Sequence, residues 1–480
     1  MANSHKALFT LILLAYLGLG GLYAALTPPW QAPDEPAHFN YVHFVAVTSA
    51  FPELTPNCYN QAYLEQLTNR RFPPDLPLDF VCYEYHQPPL YYALAAPVFV
   101  LSGGSLLAVR LFSVGLGAGV VILAFAVARA VFPHRPAVAL GAMAFTAFVP
   151  MHLSMLASVN NDALAELLIA AMLLLLVRRL AADGPPSPRS LVLLGALLGL
   201  GLVTKVTVYI AVPLIALTLW LTIPTWQKLL RQGVIIFGLA LVIALPWYGR
   251  NAALYGGVDI LGLGRHNAVV AGQLRTADYL AQVGWPRYAA DFLQTTFRSF
   301  WGQFGWMAVP MDGRTYLLLL VLTGLAVVGL GLWAEGARWL PAGPRPALAL
   351  LALTELLMAA GYGWYNLGFV QFQGRYLFPA LIPLGLFFTV GLAEILAWPR
   401  RGWLIAGLLL ALAAATAVGF DKWAALWLGL ALAAAVGRAG LGRYYRLPEG
   451  WLLAAVYLAL GALALLSPFW FIAPYLAAGP

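Results

Sequence analysis

The stretch PPWQAPDEPAHFNYVHF, residues 28–44, sets Asp34, Glu35 and His38 side by side directly after the first apolar run of a chain that is otherwise almost free of charge. Of its 480 residues, 62% are hydrophobic and 10% charged. A soluble globular protein carries about 25% charged residues, so this composition is that of a polytopic membrane protein. Apolar runs recur along the whole length between short Arg-, Pro- and Gly-bearing connectors. Their lengths suit membrane helices, and no period-2 alternation marks a β-barrel, so the expected fold class is all-α.

The first run, roughly 7–25, is preceded by Lys6 and closed by no convincing cleavage motif, which reads as an uncleaved signal anchor with a cytoplasmic N-terminus. Further spans are expected near 107–131, 137–157, 162–178, 190–204, 207–222, 233–248, 315–334, 346–364, 376–396, 403–419, 423–437 and 450–472. With the first, that makes about 13 transmembrane helices in a single membrane domain, 1–480, with no internal repeat. On this topology Arg129, Arg178, Arg179, Arg338, Arg400, Arg401, Arg438, Arg443 and Arg446 fall inside, as the positive-inside rule asks of short loops. Most acidic residues fall outside, in or beside two long extracytoplasmic loops, 28–106 and 249–314; Glu355 stays in mid-membrane. The apolar run 88–101 is too short to span unaided and reads as an interfacial or re-entrant helix of the first loop, ended by SGGS. The two cysteines, Cys58 and Cys82, share this loop, where an extracytoplasmic location would permit a disulfide.

Ionisable groups at membrane depth cost roughly 2.5–3.5 kcal/mol each at a helix centre, so they tend to be kept for a site. Asp34, bracketed by Pro33 and Pro36, can cap a short helix whose Glu35 and His38 share a face at i and i+3. A partly desolvated carboxylate there could serve as a general base toward a hydroxyl or amine. The bland alternative is that the acids only cap the helix and His38 only holds a carbonyl. Glu-x-x-His is also half of a metal site, but no second ligand set is evident, so no metal is favoured. Arg110, Lys205, Arg250 in PWYGRN and Arg375 in QFQGRYLFP lie in apolar or aromatic sequence near outer span ends and suggest an anionic headgroup. Individually Arg110 could snorkel, Lys205 could pair with an acid and Arg375 could bind a carbonyl. His86 could hold a phosphate oxygen or be structural, and Trp301 and Trp306 of SFWGQFGW could stack on a sugar or form an interfacial belt.

A first span followed by PDEPAHF, then HQPPLYY before a membrane-parallel segment, RLFS at 110–113 and an outer NND ending at Asp162, resembles the lipid-carrier-dependent glycosyltransferases of the GT-C fold. The nearest in pattern are bacterial relatives of protein O-mannosyltransferases and aminoarabinose transferases, and membrane families carrying PDEPAHF and QGRYLFP. The resemblance covers about 10–165 well and 240–380 by scattered motifs. It implies a polyprenyl-phosphate-linked sugar donor, a glycan, lipid or protein acceptor, and a site on the outer face of the cell membrane. It assigns catalysis to Asp34, with Glu35 as second choice and Asp162 as the second outer acid. His38, His86, Arg110, Lys205, Arg250 and Arg375 become substrate or phosphate contacts. Where His86 stands, aminoarabinose transferases typically have Lys. No cofactor and no nucleic acid are implied. A transporter or flippase of lipid-linked sugars is the rival reading, and Glu355 is the residue it explains better.

Overall fold

In the computed structural model, residues 3–336, 344–397 and 449–477 are described. The expected spans at 403–419 and 423–437, and Arg338, Arg400, Arg401, Arg438, Arg443 and Arg446, lie outside them.

The first apolar run is α1 (Asn3–Leu26), followed by three short helices, α2 (Glu35–Thr48), α3 (Gln61–Asn69) and α4 (Leu90–Leu101). Then come α5 (Leu106–Val131), α6 (Pro136–Phe148), α7 (Pro150–Leu156), α8 (Asp162–Ala181), α9 (Pro188–Leu202), α10 (Ala211–Thr222) and α11 (Trp226–Tyr255). The stretch expected as a second long loop instead contains α12 (Leu263–Val269), α13 (Thr276–Trp301) and a two-stranded hairpin pairing Gln303 with Pro310. The chain continues through α14 (Gly313–Gly336), α15 (Arg345–Gly368), α16 (Leu381–Ala397), α17 (Glu449–Ser467) and α18 (Ala473–Leu476). Helices dominate, as the composition requires.

The count of 13 spans is not reproduced. Seven described helices are long and apolar enough to cross a membrane, eight if α6 and α7 together make one. Three expected spans fall short for identifiable reasons. α8 carries Asp162, Glu166, Arg178 and Arg179; α9 has 15 residues; and 206–222 is a 3-10 turn followed by the 12-residue α10, where about 20 apolar residues are needed. The expected span at 137–157 is broken by 64° between α6 and α7, where Pro150 opens a new helix and Val149 turns out of the helical region.

α6 is the axis of the packing. Apart from its first turn it is buried all round by Ala, Gly, Met, Phe and Leu side chains, the signature of a helix enclosed on every side. α5, α16, α1 and α17 pack around it, while α14 lies along α16 and α11 along α9. α14 and α16 cross at glycines: a Cβ on Gly329 would stand 2.0 Å from the carbonyl oxygen of Gly391, so the two backbones touch as small residues allow in membranes. Because α6 and α7 are broken, the chain emerges into the buried segment 157–161 rather than running on, and this delivers VNND to the ends of α1 and α2.

Candidate active site

The helix ends meet where α1, α9 and α15 stop and α8 and α16 start. Asp34 precedes α2 with φ 67° and ψ −5°, a left-handed conformation that a non-glycine residue keeps only when its surroundings impose it. Its carbonyl accepts the first helical bond, from His38 N at 3.1 Å. The side chain makes no capping bond, contrary to the expectation from sequence. It turns away to accept from the Arg375 guanidinium at 2.7 Å and the Tyr83 hydroxyl at 2.8 Å. Its side chain is 23% exposed against 5% for Arg375, so the carboxylate is the accessible member of the pair.

Arg375 is placed by its neighbour. A Cβ at Gly374 would lie 2.3 Å from the Thr296 carbonyl oxygen and 2.6 Å from Phe300 N, so only glycine lets this turn lie flush on α13. Gly374 N donates to Ser299 Oγ at 2.7 Å, which ties the two motifs SFWGQFGW and QFQGRYLFP together. The guanidinium then donates to Gln373 at 2.6 Å and faces the Met155 sulfur at 3.8 Å. The Met155 side of the fork is thus held only by a weak acceptor.

Glu35 and Arg110 do not belong to this pair: the two residues expected in catalysis and phosphate binding bond to each other and to backbone. Glu35 is 0% and Arg110 3% exposed. The Glu35 carboxylate accepts from Arg110 Nε at 2.7 Å and Nη2 at 2.5 Å, Trp30 N at 3.1 Å and Val159 N at 3.2 Å. Arg110 spends its other donors on the carbonyls of Ala24, Thr27 and Pro28. Each group is saturated by the other and by backbone, so neither offers an atom to a ligand. Together they staple the end of α1, the start of α2, α5 and the 157–161 segment.

Asp162 opens α8 and pairs with Lys205 Nζ at 2.6 Å, both about one-fifth exposed. His38 is buried and shares a hydrogen bond of 2.8 Å with Tyr92 rather than with a carbonyl. Asp34, Asp162, Lys205 and Glu84 all act electrostatically on His38. Glu84 was not singled out by sequence; it is 9% exposed and its Oε2 has no hydrogen-bond partner among the described residues. The only hint in the sequence was an acid inside an aromatic run, YEYH. Its turn is anchored by the Cys58–Cys82 disulfide, with Cys82 N donating to the Cys58 carbonyl at 3.1 Å.

The remaining expected residues lie elsewhere. His86 bonds the Tyr83 carbonyl at 3.0 Å and packs on His266 of α12 with ring centroids 4.3 Å apart. Arg250 donates to the Phe51 and Pro52 carbonyls at 3.0 and 2.5 Å and lies 4.7 Å over the Trp247 ring. It tethers a loop and, among the described residues, makes no ion pair with the Asp34 cluster. Trp301 is in the core, 2% exposed, and Trp306 donates to the Trp30 carbonyl at 2.9 Å. Among the described residues no three His, Cys, Asp or Glu side chains converge as a metal site.

The electrostatics follow from burial and pairing. Burial pushes the Asp34 carboxyl up, but the charge and hydrogen bond of Arg375 outweigh it and hold the group below its usual range. Burial pushes the Tyr83 phenol well up, helped by Asp34, so it stays a donor to that carboxylate. Burial pulls His38 down and His86 further down, which keeps both imidazoles neutral near pH 7. The cluster is therefore an ionised acid gripped by an arginine, a second ion pair beside it, and neutral hydrogen-bonding groups around them.

A helical membrane bundle with its polar site at the junction of span ends and short loop helices is the fold of the GT-C glycosyltransferases, as the sequence resemblance anticipated. Residues 86–248 match the family model described as dolichyl-phosphate-mannose-protein mannosyltransferase. ArnT from Cupriavidus metallidurans bound to undecaprenyl phosphate superposes with a TM-score of 0.55 at 16% identity, over 98% of this chain and 78% of that one. Its apo form gives 0.54 at 16% identity, over 97% and 78%. The Archaeoglobus fulgidus oligosaccharyltransferase tethered with an acceptor peptide gives 0.49 at 13% identity, over 97% of this chain and 55% of that one. No curated protein matches the sequence. The chain is a multi-pass membrane protein with the GT-C fold.

Proposed function

We propose that this protein is an integral-membrane glycosyltransferase that moves a sugar from a polyprenyl-phosphate-linked donor to an acceptor hydroxyl or amine on the extracytoplasmic side of the cell membrane. The observation that carries the reading is the Asp34–Arg375 pair at 2.7 Å: an accessible ionised carboxylate and a guanidinium held together beside a second ion pair. The match of residues 86–248 to a mannosyltransferase family model supports the reaction class, and the capture of undecaprenyl phosphate by a protein of the same fold supports the lipid carrier.

The chemistry is a single inverting displacement. The acceptor oxygen or nitrogen attacks the anomeric carbon, the bond from that carbon to the phosphate oxygen breaks, and its electron pair leaves with the phosphate. A departing phosphate needs preorganised cations more than a protonating acid. Arg375 and Lys205 are the two in the cluster; Arg250 is spent on backbone. Asp34 takes the acceptor's proton. At rest Arg375 keeps Asp34 a weak base. An incoming phosphate competes for the same guanidinium, loosens its hold on Asp34 and makes the carboxylate more basic as the donor seats. The reaction on this reading needs no resident metal.

The test is transfer of radiolabelled sugar from synthetic polyprenyl-phosphate donors by the protein in lipid nanodiscs. Asp34→Asn is expected to lower transfer at least 100-fold, the scale of a lost general base, with donor binding retained and EDTA without effect on the wild type. Full activity in Asp34→Asn overturns the assignment. The flippase reading keeps one specific support, the buried Oε1 of Glu355 in α15, which has no partner among the described residues. Donor movement between leaflets without transfer would make it the better one.

A further inference from the structure

Three carboxylates surround His38, and two of them are neutralised. Asp34 is paired with Arg375 at 2.7 Å and Asp162 with Lys205 at 2.6 Å. Glu84 makes no ion pair among the described residues, is 9% exposed, and has an Oε2 that is buried and receives no hydrogen bond. Its neighbour in the same turn, Tyr83, donates to the Asp34 carboxylate at 2.8 Å, and it acts electrostatically on His38, Tyr83 and Tyr92, so it stands beside the Asp34 pair. A second acceptor at its border is unfilled as well. Asn161, next to Asp162, donates to Gln87 at 3.3 Å and to the Thr204 carbonyl at 3.1 Å, while its Oδ1 has no partner.

A buried polar acceptor without a donor is costly, and a buried carboxylate without one is costlier. Folding alone gives no reason to keep a glutamate here, since glutamine or a hydrophobe would fit the turn at lower cost. The unfilled atoms of Glu84 and Asn161 are both acceptors, which selects the chemistry of their missing partner: it brings O–H or N–H groups, not phosphate oxygens. The phosphate belongs at Arg375 and Lys205, and a polyhydroxyl ring attached to it would bring its donors beside them.

We infer that Glu84 is a substrate-binding carboxylate that receives hydroxyl hydrogens of a sugar ring in the Asp34 site. The inference rests on the glycosyltransferase reading and adds to it the residue that senses the sugar rather than its carrier. The ring can arrive on the donor or on the acceptor, and the chemistry is the same.

The experiment uses the full chain in nanodiscs, wild type and Glu84→Gln, with decaprenyl phosphate, decaprenyl-phosphate-mannose and decaprenyl-phosphate-glucose as binding probes and methyl glycosides as acceptors. Hydrogen bonds to a charged group support a loss of about tenfold or more. If the donor sugar is the partner, a glycosylated lipid binds wild type more tightly than decaprenyl phosphate does, and Glu84→Gln loses that increment while its affinity for decaprenyl phosphate is unchanged. If the acceptor is the partner, donor binding is unchanged and the acceptor KM rises about tenfold. Thermal unfolding supplies a readout that separates binding from architecture: removing an unpaired buried charge leaves the melting temperature equal or higher, whereas a structural glutamate would lower it. Neither increment nor acceptor KM moving, or a lower melting temperature, overturns the inference. Failure of the wild type to bind decaprenyl phosphate takes down the glycosyltransferase reading itself, and this inference with it.

Discussion

Replacing Glu35 by glutamine separates two roles that its neighbour position to Asp34 confuses. In the structure its carboxylate accepts four hydrogen bonds, two from Arg110 at 2.7 and 2.5 Å and one each from the amides of Trp30 and Val159 at 3.1 and 3.2 Å. Glutamine keeps the shape but turns one end from acceptor to donor, facing groups that are all donors. It also leaves the Arg110 charge, 3% exposed, without its counter-ion. Removing one member of a buried pair costs about 3–5 kcal/mol. The expected loss for Glu35→Gln is therefore about 3–5 kcal/mol of stability, measured by equilibrium unfolding in mixed SDS and detergent micelles. Glu35→Leu combined with Arg110→Leu removes both charges, and the pair is expected to be less destabilised than the sum of its single changes. A Glu35→Gln protein of wild-type stability that has lost transfer would refute the staple and return Glu35 to catalysis.

Arg250→Gln is expected to loosen the 51–52 loop and cost about 1–2 kcal/mol, the scale of one or two charge-assisted bonds to carbonyls, with donor KM unchanged; a tenfold rise in that KM would show a phosphate contact instead. Reducing the Cys58–Cys82 bond, which joins residues 24 apart, removes about 3 kcal/mol on the loop-entropy model and frees the turn bearing Tyr83 and Glu84. Transfer unaffected by reduction would show that the turn holds without it. His38 and His86 both titrate below the ordinary value of 6.5, burial leading in each. The unfolded chain then binds more protons than the folded one below about pH 6.5. Stability is expected to be flat above that pH and to fall below it, with a shallower slope in His86→Asn; identical slopes in wild type and variant would count against the buried neutral imidazole.

Much of this molecule was legible in composition and spacing. Apolar run length names a helical membrane protein because the bilayer demands internally satisfied backbone over a set thickness. The fold also groups residues from several of the polar motifs: Asp34 and His38 of one segment meet Asp162, Lys205 and Arg375 of three others. What could not be read was which charges face one another. Glu35 and Asp34 are adjacent, yet the left-handed backbone at Asp34 sends one carboxylate to Arg375 and the other to Arg110. Arg110, Arg250 and Arg375 look alike as arginines near span ends, and only the carbonyls and carboxylates they reach distinguish staple, tether and site. Sequence determines which groups are too costly to leave in a membrane without purpose, because that cost is local. Tertiary structure decides how each cost is met, because the partner is set by packing between distant segments.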